Sequence, residues 1–200
     1  MSGRLRQQPP VRASIPRGIL LLARGRADGL RQFGDTPQAF LASLAPLIAF
    51  PLVGAGLTLA QGEGLPALTA LLSTLCALLA PPVLSYEMAR MWRREGQWLR
   101  FATAFNWCQW AIPVLAAVLL TLVYPALAEA AGTETAGIVV IAAVGGYALW
   151  LHWFLARHAL VLSGLRAALL VLFANLGTVV LVLGPRLLVA GGLSRLQGLG

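Results

Sequence analysis

The stretch 101–128, FATAFNWCQWAIPVLAAVLLTLVYPALA, contains no charged residue. At about 1.5 Å per residue, a helix of this length crosses the hydrocarbon core of a bilayer, which is about 30 Å thick. Four more uncharged stretches have the length for a crossing, at 39–60, 65–86, 135–156 and 167–185. Because backbone groups in lipid must bond to one another within a segment, these stretches predict helices. The sequence therefore predicts an all-α polytopic membrane protein, a bundle of five transmembrane helices.

The composition agrees with a membrane protein and excludes a soluble domain. Hydrophobic residues form 58% of the chain and charged residues 11%, whereas soluble domains are about 25% charged. All fifteen basic residues are Arg, and the net charge is +8. These charges lie beside hydrophobic stretches, and the sequence shows no aromatic-interleaved basic groove of the kind that binds nucleic acid. They indicate anionic lipid as a partner, and we expect no nucleic-acid binding.

The arginines also predict the orientation. Thirteen of them lie before the first predicted span or in the loops after the second and fourth, whereas the loops after the first and third contain only acidic charges. By the positive-inside rule, the arginine-containing side is cytoplasmic. We therefore expect a multi-pass protein of the bacterial inner membrane, with its N-terminus in the cytoplasm and its C-terminus in the periplasm.

Three regions follow from this interpretation. Residues 1–38 form a basic cytoplasmic segment, residues 39–190 the transmembrane domain, and residues 191–200 a short tail. Arg186 and Arg195 fall on the periplasmic side, and Gly184-Pro185 interrupts the fifth apolar stretch. Four or six spans, the latter with a re-entrant tail, therefore remain as alternatives.

Residues 16–33 predict a short interfacial helix. Arg17, Arg24 and Arg31 recur every seven residues, so they would form one basic stripe facing anionic lipid headgroups. Gly25 and Gly29 weaken this helix, because glycine is a poor helix former.

A few polar residues lie inside or beside the predicted spans, where each needs a partner or a function. Glu87 and Arg90 are three residues apart and predict an ion pair at the cytoplasmic interface. Asn106 and Asn175 each predict a hydrogen bond to a facing helix. His152 predicts a bonded interfacial side chain, since no ligand-like spacing links it to Cys, Asp or Glu. We expect no metal site.

Prolines predict irregular helices. Pro46 and Pro51 fall in the first span, Pro81-Pro82 in the second and Pro113 in the third. Each removes a backbone donor, and the double proline predicts the sharpest break. Broken helices line substrate sites in many transporters. A small transporter or channel subunit is therefore the alternative function.

Small residues four apart predict close helix contacts. Ala45 and Ala49 form such a pair in the first span, and Ala142 and Gly146, with Gly145 beside them, in the fourth. Pairs of this kind let helix backbones approach in lipid. They occur both within chains and between them, so a membrane-protein partner or a homo-oligomer is expected without a choice between the two.

No catalytic or cofactor-binding motif is present. The sequence has no GxSxG, HExxH, CxxC, P-loop or Rossmann pattern, and no pair of carboxylates shares a predicted span. We therefore expect a protein that is not an enzyme and has no cofactor. A lipid-active enzyme that uses His152 or Glu87 is the weakest of the three hypotheses.

The order of parts resembles the bacterial form of the Yip (Ypt-interacting-protein) membrane family. The similar features are RGRADGL at 24–30, FATAFNW at 101–107 and the apolar fifth span with Asn175. The resemblance implies a non-enzymatic scaffold or adaptor with five close-packed transmembrane helices. Eukaryotic members are similar to adaptors for Rab-type GTPases, which act through a longer N-terminal region. The N-terminal region here is short, so that role is not transferred.

Overall fold

The structure is a computed structural model that describes residues 14–62 and 64–197. Within these residues the chain is helical and contains no strand. An N-terminal helix and a 3-10 helix precede the long helices. The helices are α1 Ile15–Ala23, the 3-10 helix Ala27–Gln32, α2 Pro37–Ala60, α3 Gly64–Met91, α4 Glu95–Cys108, α5 Ala111–Val118, α6 Tyr124–Ala131, α7 Thr133–Ala159 and α8 Gly164–Gln197.

Five helical segments of the described chain are long and apolar enough to cross a membrane, which confirms the all-α polytopic fold. They are Pro37–Ala60, Ala67–Met91, Glu95–Ala131, Thr133–Ala159 and Gly164–Gly184. Each overlaps one predicted stretch and begins or ends beyond it, and in four of the five the added residues include Arg or Glu. Residues 1–13 of the predicted N-terminal segment and 198–200 of the predicted tail lie outside the described residues.

The third span is three helices in succession. The first interruption, Gln109–Trp110, lies three residues before Pro113, which has no N–H to donate to the carbonyl four residues earlier, that of Gln109. The second is a π-helical turn at Leu119–Val123, just before Pro125. In both irregular segments a carbonyl, that of Gln109 or Thr121, lies four residues before a proline and lacks the usual helical donor.

The second span is one uninterrupted helix. The prediction that Pro81-Pro82 makes the sharpest break is wrong, since α3 runs from Gly64 to Met91. α8 likewise continues through Gly184-Pro185 to Gln197, past the predicted end at 185. A proline removes one helical hydrogen bond, but the remaining backbone groups have no partner in lipid outside a helix. Helix continuation is the less costly outcome at these two sites.

The N-terminal segment is two short helices and not the single interfacial helix predicted for 16–33. α1 ends at Ala23, and Gly25 has φ +73°, a left-handed conformation that favours glycine. The chain then turns into the 3-10 helix. Leu22 is completely buried and Phe33 nearly so, because both side chains insert into the helix bundle. The segment therefore packs against the helix bundle.

Two glycines allow this docking. A Cβ atom on Gly29 would lie 2.8 Å from the carbonyl oxygen of Gly18, and one on Gly18 would lie 2.7 Å from the Phe33 ring. Only glycine permits α1 and the 3-10 helix to approach this closely. The Tyr147 hydroxyl on α7 donates a hydrogen bond of 3.0 Å to the Ala23 carbonyl and fixes the end of α1 to the bundle.

The core lies at one end of the bundle, which we call the arginine-rich end. There α3 and α7 finish, α4 and α8 begin, and α1 and the 3-10 helix pack over them. The buried side chains form a continuous cluster that includes Leu22, Phe101, Leu151, Leu155, Leu160 and Leu170.

Candidate functional site

A cavity of about 200 Å³ lies between α3, α4, α7 and α8. Its walls are largely apolar and include the rings of Phe101 and Phe105. Polar side chains from four parts of the chain also face it: Ser85, Gln109, His152, Asn175 and Thr178. Asn175 is 11 residues into α8 and His152 is 7 residues from the end of α7. At about 1.5 Å per residue, the cavity lies roughly 10–16 Å from the arginine-rich end.

His152 and Gln109 form the polar floor of the cavity. His152 Nε2 lies 3.4 Å from Gln109 Oε1. An amide oxygen only accepts hydrogen bonds, so this pair requires the tautomer with a proton on Nε2. The Phe105 ring lies against the imidazole, with 4.6 Å between ring centroids. The histidine is thus a bonded side chain facing an apolar ring.

Gln109 owes its position to the interruption between α4 and α5. Pro113 has no N–H to donate to the Gln109 carbonyl, and the helix is interrupted at Gln109. The Gln109 side chain lies beside His152. Its amide nitrogen donates to no group within the described part of the chain. The amide nitrogen of Gln109 can therefore donate a hydrogen bond to a further partner.

Asn175 lies at the rim. Its Nδ2 donates a hydrogen bond of 2.7 Å to the Val171 carbonyl of its own helix. The prediction that Asn175 bonds a facing helix is therefore wrong. The neighbouring Val171 and Ala174 are buried, whereas Asn175 is the exposed lining residue. The cavity consequently opens past Asn175.

The double proline contributes backbone polarity. Pro81 and Pro82 have no N–H to donate to the carbonyls of Ala77 and Leu78, four residues earlier. Ala77, Pro81 and Pro82 all line the cavity. The prolines leave α3 helical and deprive it of two internal donors beside this space.

The other predicted polar residues lie elsewhere. Asn106 is 2% exposed, and its Nδ2 donates a 3.0 Å hydrogen bond to Ser43 Oγ on α2, as predicted for a facing helix. Glu87 and Arg90 form the predicted ion pair, with 3.7 Å between charged atoms and both side chains largely exposed. Neither pair reaches the cavity.

Three polar residues that line the cavity were not singled out in the sequence analysis: Ser85, Gln109 and Thr178. Ser85 donates to the Pro82 carbonyl and accepts a 3.2 Å hydrogen bond from Trp98 Nε1. Serine and tryptophan near a membrane interface are too common to indicate this pairing. Gln109 had a signal, since it lies four residues before a proline inside an apolar stretch.

A second, more open cavity of about 300 Å³ lies between α2 and α3 toward the opposite end. Its lining is small and apolar apart from two threonines. Both hydroxyls donate to carbonyls of their own helices, Thr58 to Ala55 and Thr74 to Ala70. This groove offers little polar recognition.

The described lining of the cavity carries amide, hydroxyl and imidazole groups. Among the described residues, no Asp, Glu, Lys or Arg lines it. Within 14–62 and 64–197, no group of three or more His, Cys, Asp or Glu side chains is placed to hold a metal ion. His152 is the titratable group there, and its described polar partner is an amide.

Comparison with known proteins adds no function to this geometry. No protein-family model, no curated protein and no solved structure matches the chain.

Proposed function

We propose that the protein is a non-enzymatic membrane scaffold or adaptor, similar in its order of parts to the Yip-type family. It would lie in a bacterial inner membrane with its N-terminus in the cytoplasm. The observation that carries the proposal is the location of the small-residue pairs. Ala45, Ala49, Ala142 and Gly146 are all exposed on the outside of the bundle. The described part of the chain leaves these pairs uncovered, so another chain or lipid would supply the close contacts.

The α7 face is the better defined of the two. Cβ atoms built on Gly145 and Gly146 meet nothing within 4 Å. Ile141 and Leu149, on either side, are 74% and 52% exposed. The face is a shallow groove between two large apolar side chains, the shape that admits a second helix at close range. Its partner would be a transmembrane helix, from another protein or from a second copy.

The arginine-rich end supports the cytoplasmic orientation and an anionic-lipid partner. In the described part of the N-terminal segment, Arg17, Arg24, Arg26 and Arg31 are all exposed. The Asp28 carboxylate approaches two of these arginines, with 3.8 Å to the guanidinium group of Arg26 and 3.9 Å to that of Arg31. The remaining positive charge faces outward, where acidic headgroups attract it.

The test is association in lipid. Two differently tagged copies of the full chain are expressed together, extracted in a mild detergent and captured by one tag. Gly146→Leu should remove most of the captured partner, because a leucine fills the groove of the α7 face. Gly96→Leu on α4, which replaces an exposed glycine outside the two proposed contact faces, is the matched control.

The second tag identifies a homo-oligomer, and a reproducible second protein identifies an adaptor. Equal capture by wild type and Gly146→Leu would contradict the α7 face. Repeated recovery of the bare chain would contradict the scaffold proposal as a whole.

The intramembrane cavity and the interrupted third span favour one alternative, a small transporter or channel subunit. Purified protein in sealed vesicles should then carry a solute or ion across the membrane, and Gln109→Leu should slow the flux. Vesicles without flux above the protein-free level would remove this alternative.

A further inference from the structure

The cavity between α3, α4, α7 and α8 has largely apolar walls and several polar but uncharged side chains. Its polar side chains are amides, hydroxyls and an imidazole, and none of its described lining residues is Asp, Glu, Lys or Arg. It lies within the helices that are apolar enough to cross a membrane. An ionised ligand there would lose hydration without meeting an opposite charge, which is costly. The cavity therefore selects a neutral molecule.

The unused hydrogen-bonding groups define the head of that molecule. Gln109 has an amide nitrogen without a partner in the described residues, and Asn175 uses one donor on Val171 and retains its oxygen. Gln109 can thus donate a hydrogen bond on one side of the cavity, and Asn175 can accept one at its rim. A hydroxyl or a carbonyl group complements such an arrangement, because each bonds to amides without charge.

The volume and walls limit its size. A cavity of about 200 Å³ exceeds the roughly 150 Å³ of an engineered cavity that binds benzene. It is therefore large enough for a substituted six-membered ring or a glycerol unit. Phe101 and Phe105 supply aromatic walls, with ring centroids 5.7 Å apart, and suit such a head.

The opening indicates where the rest of the molecule lies. Ala102, Val171 and Ala174 are buried, whereas Asn175 at the rim is exposed on the side of α8. We propose that the cavity binds the uncharged, oxygen-bearing head of a lipophilic molecule, whose chain passes Asn175 into the surrounding lipid. This role is independent of the scaffold function, which needs only the outer faces of α2 and α7.

The experiment measures binding by the full chain purified in a mild detergent. Two probes are used, each with an uncharged, oxygen-bearing head: a decyl-substituted benzoquinone, whose head carries carbonyls, and a monoacylglycerol, whose head carries hydroxyls. Binding is followed by the rise in melting temperature with probe concentration and by native mass spectrometry. Ala174→Phe fills the cavity and should reduce affinity at least about tenfold. Ala168→Phe adds the same side chain on the exposed side of α8 and should bind like wild type.

Gln109→Leu provides a second variant if Ala174→Phe does not fold. Loss of one neutral hydrogen bond should weaken binding by about fivefold. Binding of either probe with these losses supports the site, and the probe that binds identifies a quinone-like or a glyceride source. No binding of either probe, or unchanged affinity in folded Ala174→Phe or Gln109→Leu, overturns the proposal. Gly146→Leu should bind the probe normally, so that failure here is separable from failure of the scaffold function.

Discussion

The two halves of the bundle share the long helices α3, α7 and α8 and yet differ in packing. At the arginine-rich end, Leu151 and Leu155 are completely buried. Toward the opposite end, Leu65 and Leu122 are 74% and 73% exposed. In lipid an exposed leucine loses little, because the solvent is also hydrocarbon. Apolar character therefore does not determine which residues pack together.

Hydrogen bonds show the same division. At the arginine-rich end, polar side chains bond across elements: Trp98 to Ser85, Asn106 to Ser43, Tyr147 to Ala23 and Trp153 to Gly164. Toward the opposite end, Thr58, Thr74 and Thr121 donate to carbonyls of their own helices. Tertiary polar contacts thus accompany the packed half, and we infer that they stabilise it.

The largest expected effect tests the packing difference directly. Leu155→Ala removes a fully buried side chain from the cluster at the arginine-rich end. It should lower the free energy of unfolding by about 2–4 kcal/mol, because the contacts are lost and a cavity remains. The measurement is unfolding of the purified chain by a denaturing detergent, followed by circular dichroism.

Leu122→Ala is the control in the opposite half. The same atoms are removed, but from a side chain that faces outward, and the change should stay within about 0.5 kcal/mol. Similar losses in both variants would show that the two halves are packed alike.

A smaller effect is expected at the N-terminal segment. Gly29→Ala brings a Cβ atom to 2.8 Å from the Gly18 carbonyl oxygen, a backbone atom that cannot turn aside. It should cost about 1–3 kcal/mol and release α1 from the bundle. Limited trypsin digestion checks this, since cleavage at Arg24 and Arg26 should become faster.

Gly54→Ala is the matched change on α2. Its new Cβ atom meets nothing within 4 Å, and alanine is the better helix former. Digestion at Arg24 and Arg26 should therefore be unaltered. Equal cleavage of wild type and Gly29→Ala would contradict the close docking of α1 on the 3-10 helix.

Hydropathy was sufficient to predict the helices but not their faces. Five uncharged stretches gave the spans because length and desolvation of the backbone allow only a helix. Which side of α7 is buried could not follow, since Val140 and Ile141 are equally apolar while only the first packs inside. In a soluble helix the polar face would have shown this, and here both faces are apolar.

The sequence predicted that prolines would disturb the helices, but not which prolines would do so. Pro113 interrupts its span, whereas Pro81-Pro82 leaves α3 intact. The sequence shows each missing donor but not the neighbours that compensate for it. The same limit applies to the cavity: His152 and Asn175 were singled out as costly polar groups, yet their convergence with Gln109 depends on how α4, α7 and α8 cross.

The N-terminal segment shows a third limit. The seven-residue arginine repeat suggested one continuous helix, but Gly25 takes positive φ and ends it early. Gly29, which weakened the helix prediction, is needed for tertiary packing, because it lies against the backbone of Gly18. Local helix propensity therefore misses why this residue is present.

The smallest expected change in the free energy of unfolding distinguishes Asn106 from Asn175, the two asparagines in the apolar spans. Asn106→Ala removes the hydrogen bond to Ser43 between α4 and α2. Such interhelical bonds contribute about 0.6 kcal/mol on average, because the unfolded chain in the membrane also finds partners. Burial of Asn106 and loss of its packing raise the expected cost to about 1 kcal/mol. The same denaturing-detergent titration measures it.

Asn175→Ala is the control, since that amide bonds the carbonyl of its own helix and stands at the rim of the cavity. Unfolding should remain within about 0.5 kcal/mol of wild type, because no contact between helices is lost. A double-mutant cycle with Ser43→Ala should then return a coupling for Asn106 and none for Asn175. Equal coupling energies for Asn106 and Asn175 would mean that hydrogen bonds between helices do not stabilise the packed half. Dispersion alone would then have to explain why only the arginine-rich end is tightly packed.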